Sequence, residues 1–350
     1  MKTTKPLVAI EASTSILCAA QSPPKAKKQM QAVLDQLQKL GGQSIASLMP
    51  EEVRKQPSPT DAVKALLQSQ GKSLAAEPVA SVKDQTIPGA GGEIPIRIYT
   101  PEGAGPFPVI LYVHGGGWVI ADLDTYDSSP RALANAAKAV VVSTHYRLAP
   151  EHPFPASHED TFSAYKWVRE NAGSFNGDQS RIVIAGDRAA GNMATAISLM
   201  AREQNLPMPV HQLLVYPVAG TDMNTPSFIK NANAGPLNKA MMEWFAKHEL
   251  KKPQDKLDPR IDLANADLRG LPPTTIITAE IDPLRSGGRM LADKLKAAGV
   301  KVNYKNHDGV THEFFGMGAV LDEAKEAVEF GARDLKNSFT TTEHQLVREK

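Results

Sequence analysis

Four short stretches of this chain carry residues whose types and order suit acyl-transfer chemistry. The first, His114-Gly-Gly-Gly-Trp118, directly follows the apolar run 109–113. Acyl transfer develops negative charge on a carbonyl oxygen, and preorganised N–H donors stabilise it. Glycines let the backbone approach that oxygen closely and adopt turns closed to other residues. The expected donors are the N–H groups of Gly115 and Gly116, with a third from Ala189. No Lys-Ser or Lys-Thr follows the glycines, which disfavours a phosphate loop.

The second stretch, Arg181-Ile-Val-Ile-Ala-Gly-Asp-Arg-Ala-Ala-Gly-Asn192, reads as a buried strand, a sharp turn and the start of a helix. In the pattern G-x-S-x-G such a turn exposes a nucleophilic serine. Gly186 marks the turn and Gly191 the contact between helix and strand. Ala190 stands where a third glycine is common. The serine's position is held by Arg188. An arginine keeps its proton to pH values above about 12, so it supplies no nucleophile near neutrality. It also places a long cation where the acyl carbon would sit.

The remaining two stretches come late. Glu280-Ile-Asp282-Pro-Leu-Arg285 follows the apolar run 275–278, and Asp308-Gly-Val-Thr-His312-Glu-Phe-Phe315 follows an expected last strand at 301–305. His312 is the expected general base. Asp282 is expected to orient its imidazole and stabilise the imidazolium. His145, His152 and His158 crowd a proline-rich tract without the i,i+4 pairing of a zinc helix, so loop structure is expected there and no metal site. Within that tract Tyr146, Arg147 and Glu151 read as a buried polar brace.

These stretches need elements to position them. Continuous apolar runs at 109–113, 139–143, 182–185, 213–215 and 275–278 fit parallel strands buried on both faces. Helical patterns at 129–138, 159–170, 189–203, 287–298 and 323–336 separate them. The result is an α/β doubly wound sheet with right-handed crossovers. Ile94, Ile96 and Ile98 alternate with Pro95, Arg97 and Tyr99, the pattern of a half-exposed strand near a sheet edge. Upstream, Met30, Val33, Leu34, Leu37 and Leu40 recur at helical spacing until Gly41-Gly42. A second helix is expected after Pro59-Thr60-Asp61. Residues 220–256 break the alternation and read as an inserted helical segment, apolar toward the site, with the charged run 247–256 solvated.

The bulk numbers exclude several classes. The 350 residues suffice for one large α/β domain with added segments. With 39 basic and 38 acidic residues the net charge is +1, which points to neither nucleic acid nor an anionic membrane. No apolar run is long enough to span a bilayer. The single cysteine, Cys18, rules out an internal disulfide. Residues 1–21 loosely resemble a signal peptide, but Glu11 splits the apolar stretch; a frayed arm on a cytoplasmic protein is the plainer expectation.

Taken together, His114-Gly-Gly-Gly-Trp118, Tyr146-Arg-Leu-Ala-Pro-Glu-His-Pro153, Gly186-Asp-x-Ala-x-Gly-Asn192, Asp282-Pro-Leu284 and Gly309-x-x-His312-x-Phe314 resemble the hormone-sensitive lipase-like esterases, bacterial family IV of the α/β-hydrolase superfamily. The resemblance covers roughly residues 85–335. It implies the α/β-hydrolase fold, with residues 1–84 as an N-terminal arm and helical cap. Residues 85–350 would be the catalytic domain, with 220–256 as its cap insert. It also implies a carboxylic-ester hydrolase for short to medium acyl chains, without cofactor or metal, and often a homodimer. By position, the family's nucleophile maps to Arg188, its acid to Asp282, its base to His312 and its oxyanion donors to Gly115, Gly116 and Ala189. Two lesser departures are Ser286-Gly287 in place of an acidic pair and His145 in place of Asp or Asn. Arg188 leaves two main readings, beside a third in which His312 and Asp282 activate water directly and Arg188 polarises a carbonyl. Either an ester-cleaving scaffold has lost its nucleophile, or a non-catalytic protein uses Arg188 to clamp an anionic ligand.

Overall fold

The computed structural model describes residues 25–348; the reading of residues 1–21 and Cys18 lies outside them. The chain opens with α1 (Lys28–Lys39), the single turn α2 (Pro50–Val53) and α3 (Pro59–Ser69). Helix α1 buries Met30 and Val33, and Leu40 at its end is exposed. Helix α3 starts at Pro59, three residues earlier than its sequence suggests. Ser58 accepts from the Asp61 N–H, Asp61 accepts from the Ser58 N–H, and Pro59 fills the first turn where no N–H is needed.

There follow β1 (Ser81–Gly89), β2 (Gly92–Thr100), β3 (Phe107–Val113), α4 (Ser128–Ala137), β4 (Val140–Thr144), α5 (Ala156–Asn171), β5 (Gly177–Asp187) and α6 (Ala189–Glu203). Then come β6 (Gln212–Val215), α7 (Pro226–Lys230), α8 (Lys239–Glu249), β7 (Thr274–Ile281), α9 (Arg285–Ala297), β8 (Val302–Thr311) and α10 (Asp322–Arg348). The eight strands form one sheet in the order β1-β2-β4-β3-β5-β6-β7-β8. β1 and β2 pair antiparallel, as do β2 and β4; every later pairing is parallel.

The continuous apolar runs behave as parallel strands should. Along β3, Val109, Leu111 and Val113 enter one core while Ile110 and Tyr112 enter the other. Along β5, Ile182 and Ile184 take the first face, and Val183 and Ala185 the second. Helices α5, α6 and α9 cover the first face through Phe162, Met193 and Leu291. Helices α4 and α10 cover the second through Leu133 and Leu335. The sheet is therefore doubly wound, and crossovers on both faces bring the carboxyl ends of the strands together at one rim.

One strand was not foreseen, and another runs longer than expected. β2 lies near the edge as expected, but the edge strand itself, β1, was not foreseen, because its run Ser81–Gln85 is too polar and exposed to read as a strand. β8 extends to Thr311, well past residue 305; its further paired residues Asn306, His307 and Thr311 are polar, so no apolar run marks them. The segment 220–256 is helical as expected, with Met241, Trp244 and Phe245 buried. Glu249 is the exception in its charged end: it is buried against the Ser157 hydroxyl, and burial pushes its carboxyl up to about 8. No helix among the described residues is long and apolar enough to cross a membrane.

Candidate active site

The turn between β5 and α6 is as tight as its glycines suggest. A Cβ on Gly186 would lie 2.4 Å from the Ala190 carbonyl oxygen, and one on Gly191 would lie 2.8 Å from Pro217. Arg188 sits at the apex with φ 58° and ψ −122°, a region that ordinary side chains rarely enter. Its N–H donates to the Val215 carbonyl at 3.0 Å, and its carbonyl accepts from Val218 at 3.0 Å. Backbone bonds to both ends of the stretch 215–218, at the end of β6, therefore hold the strained residue in place. Asn192, one turn into α6, donates to the Val218 and Ile261 carbonyls and faces His158 of α5 at 3.2 Å.

The Arg188 side chain lies back across the glycine loop. A Cβ on Gly115 would meet the Arg188 Cδ at 2.9 Å and the Tyr126 hydroxyl at 2.5 Å. The guanidinium pairs with the Glu313 carboxylate and reaches the Tyr126 hydroxyl at 3.4 Å. Burial lowers the arginine's pKa most, but Glu313, Tyr126 and Asp187 more than offset it, so the cation is held firmly. Asp187, buried beside it, is pushed well above the ordinary carboxylate range by burial and by the charge of Glu313. Glu313 and Tyr126 were not singled out by the sequence. Glu313 directly follows His312 in the chain, but nothing marks Tyr126 as its neighbour.

On the other side of the cleft, His312 Nδ1 lies 2.7 Å from Asp282 Oδ2, and both side chains are buried. Asp282 Oδ1 accepts from the Leu284 N–H at 2.8 Å. The Tyr216 ring packs against the imidazole, with centroids 4.5 Å apart. His312 Nε2 is buried and meets no hydrogen-bonding partner among the described residues. The segment 220–256 braces this corner. Asn231 donates to the Asp282 carbonyl at 3.0 Å, and Ser227 and Ser286 exchange backbone-to-hydroxyl bonds at 3.0 and 2.9 Å.

The glycine loop is fixed from behind. The Tyr146 hydroxyl donates to the His114 and Gly115 carbonyls, both at 3.1 Å, and His114 Nδ1 lies 2.7 Å from the Gly115 oxygen. A trans peptide aims its N–H opposite to its C=O. Turning the Gly115 carbonyl toward Tyr146 therefore aims the Gly116 N–H the other way. Gly116 has φ 111°. His114 is pushed down to about 3 by burial and by His145, so the ring acts as a neutral strut. The N–H of Ala189, first residue of α6, has no acceptor within its own helix.

The expected brace of Tyr146, Arg147 and Glu151 resolves into three separate ties. Tyr146 holds the glycine loop, Arg147 pairs with buried Asp160, and Glu151 is half-exposed and bound by both terminal nitrogens of Arg54. Among the described residues no group of histidines, cysteines and carboxylates could hold a metal. His145 hydrogen-bonds His114 at 3.0 Å, and His158 lies on α5 rather than in a loop. A cleft of about 1730 Å³ opens onto Arg188, His312 and Glu313, and runs under Leu34, Leu37 and Val63.

The sheet order, the strained turn after its fifth strand and the buried His312–Asp282 pair define the class. A family model described as alpha/beta hydrolase fold matches residues 110–316, and the chain belongs to that family. It is similar to carboxylesterase NlhH of Mycobacterium tuberculosis, 41% identical over 269 residues that cover 75% of this chain and 84% of that one. It is also similar to esterase LipI of the same organism, 40% identical over 73% of this chain and 81% of the relative. Among solved structures, the hyperthermophilic esterase of the archaeon Pyrobaculum calidifontis superposes with a TM-score of 0.81 at 37% identity, covering 90% of this chain and 98% of that one. By family, then, the chain belongs with the carboxylic-ester hydrolases.

Proposed function

We propose that this chain is a carboxylesterase scaffold for short to medium acyl chains from which the nucleophile has been removed. The observation that carries this reading is the buried, unpartnered Nε2 of His312, in a ring already held by Asp282. In the acyl-enzyme mechanism a serine at position 188 would donate its proton to that nitrogen and attack the ester carbonyl. Asp282 would fix the imidazole through Nδ1–H and stabilise the imidazolium. The N–H groups of Gly115, Gly116 and Ala189 would receive the developing oxyanion. His312 would then return the proton to the leaving alcohol, and water would repeat the cycle on the acyl group. With Arg188 the sequence stops at its first step, and the arginine stem lies over Gly115 where the acyl group would rest.

Residues 1–84 and the insert 220–256 serve in this reading as a cap over residues 85–350. Supporting it, Trp244 donates to the Leu48 carbonyl at 3.1 Å, and Leu34, Leu37, Val63 and Met241 line the cleft. The alternative, an anion clamped by Arg188, is disfavoured by the guanidinium's existing partner, Glu313. A fluorophosphonate reagent tests the reading. The Arg188→Ser variant should take up one phosphonyl group at position 188, seen by mass spectrometry of the peptide, and the unchanged chain none. Labelling of the unchanged chain at the same rate would refute it.

A further inference from the structure

The place where Arg188 ends is arranged around a positive charge. The Glu313 carboxylate faces the guanidinium. The Tyr126 hydroxyl donates to Glu313 Oε1 at 2.9 Å and lies 3.4 Å from the arginine nitrogen. The Phe245 ring, from the insert, presents its face with its centre 5.9 Å from the guanidinium carbon. The pair is mostly withdrawn from water, with side chains 10% and 13% exposed. A carboxylate, a hydroxyl that steadies it and an aromatic face are the groups that bind ammonium and guanidinium ions. None of the three is needed for the proton relay through His312 and Asp282.

Arg188 is thus a tethered cation seated in the cleft. Resting on the esterase reading above, we propose that Glu313, Tyr126 and Phe245 form a subsite for a positively charged group on the ester substrate, an ammonium or guanidinium, whose place the Arg188 side chain takes in this chain. Removing one partner of a buried ion pair leaves the other charge uncompensated. With serine at position 188, Glu313 would face the cleft without a cation, and a cationic ester would supply one on binding. Position matters too. The reacting oxygen would hang directly on the Cβ of residue 188, while the guanidinium is carried on the Cγ–Cδ–Nε stem. The recognised charge therefore lies a short chain away from the ester carbonyl, as in choline or aminoethyl esters.

The decisive quantity is a ratio. The full-length Arg188→Ser variant is assayed on butyrylcholine and on its uncharged dimethylbutyl isostere, which has the same shape. The cationic ester should be favoured in kcat/KM by about tenfold, the worth of one charge-assisted contact. Adding Glu313→Gln should bring that ratio close to one. Equal kcat/KM for the two esters, or a ratio indifferent to Glu313→Gln, overturns the proposal while leaving the esterase reading intact. If neither ester is cleaved, the esterase reading fails, and binding still decides the subsite. Millimolar methylguanidinium should raise the melting temperature of Arg188→Ala, whose cation is gone. It should do so neither for the unchanged chain nor for Arg188→Ala combined with Glu313→Gln. No rise for Arg188→Ala, or the same rise for all three, overturns the subsite.

Discussion

Arg188 combines two costs with one compensation. Its backbone occupies a region worth on the order of 1–3 kcal/mol of strain for a residue with a side chain. Its guanidinium is largely desolvated, and Glu313 is its counter-charge. Substituting Arg188→Ser keeps the backbone strain and leaves Glu313 unpaired. We expect a loss of up to about 3 kcal/mol, discounted for the residual exposure of the pair. Adding Glu313→Gln should recover most of it, and urea unfolding of the single and double variants measures this; no recovery would show that the pair carries little of the stability. At this scale the sequence was legible where chemistry forces residue order. His312, Asp282 and the glycine loop stand where their motifs placed them. Glu313 and Tyr126 escaped because they are far apart in the chain and meet only through the turn at His312.

Among the elements, α6 was fully legible from sequence. Its first eleven residues, from Ala189 to Leu199, are all buried, and small side chains let it lie against β5. That closeness depends on Gly186, where a Cβ would press on the backbone oxygen of Ala190. Gly186→Ala should therefore cost about 2 kcal/mol or more, since backbone cannot step aside as a flexible side chain can. A chemical-denaturation curve like that of the parent would contradict the account. β1 escaped the sequence because an edge strand can be polar on both faces and still pair through its backbone. The late end of β8 escaped for the same reason, its ladder with β7 being carried by polar residues.

Several ionisable groups are buried in their neutral forms, and these shape the response to pH. Burial pushes His158, His211 and His307 down to about 4 and His114 to about 3, from an ordinary value of 6.5. Below pH 6.5 the unfolded chain takes up protons that the folded chain refuses. Stability from these groups is full above pH 6.5 and is lost as pH falls toward 4, by up to about 1.4 kcal/mol per pH unit for each histidine. Glu249 and Asp187 act oppositely. Their raised carboxyls favour the folded state at low pH, and for Glu249 that contribution is lost as pH rises through about 8. Four histidines outweigh two carboxyls on the acid side. Melting temperature should peak near pH 6.5 and fall on both sides, toward pH 4 as the histidines take up protons and toward pH 8 as the buried carboxyls lose theirs. A profile flat from pH 6.5 to 4 would show that the histidines are not buried neutral. The doubly wound order of the sheet was legible in the spacing of apolar runs. How the N-terminal helices meet the segment 220–256 was not, because the Trp244–Leu48 tie joins stretches nearly two hundred residues apart.

In the esterase reading, one side chain separates this chain from an ester-cleaving one. Hydrolysis of nitrophenyl butyrate by the unchanged chain, by Arg188→Ser, and by Arg188→Ser with His312→Ala tests it most directly. Loss of the nucleophile in a serine hydrolase costs on the order of 10⁶ in kcat, so turnover by the unchanged chain should be near background. Arg188→Ser should raise it by several orders of magnitude, and His312→Ala should abolish the gain. Comparable turnover by the unchanged chain and Arg188→Ser, or a gain that survives His312→Ala, would contradict the account.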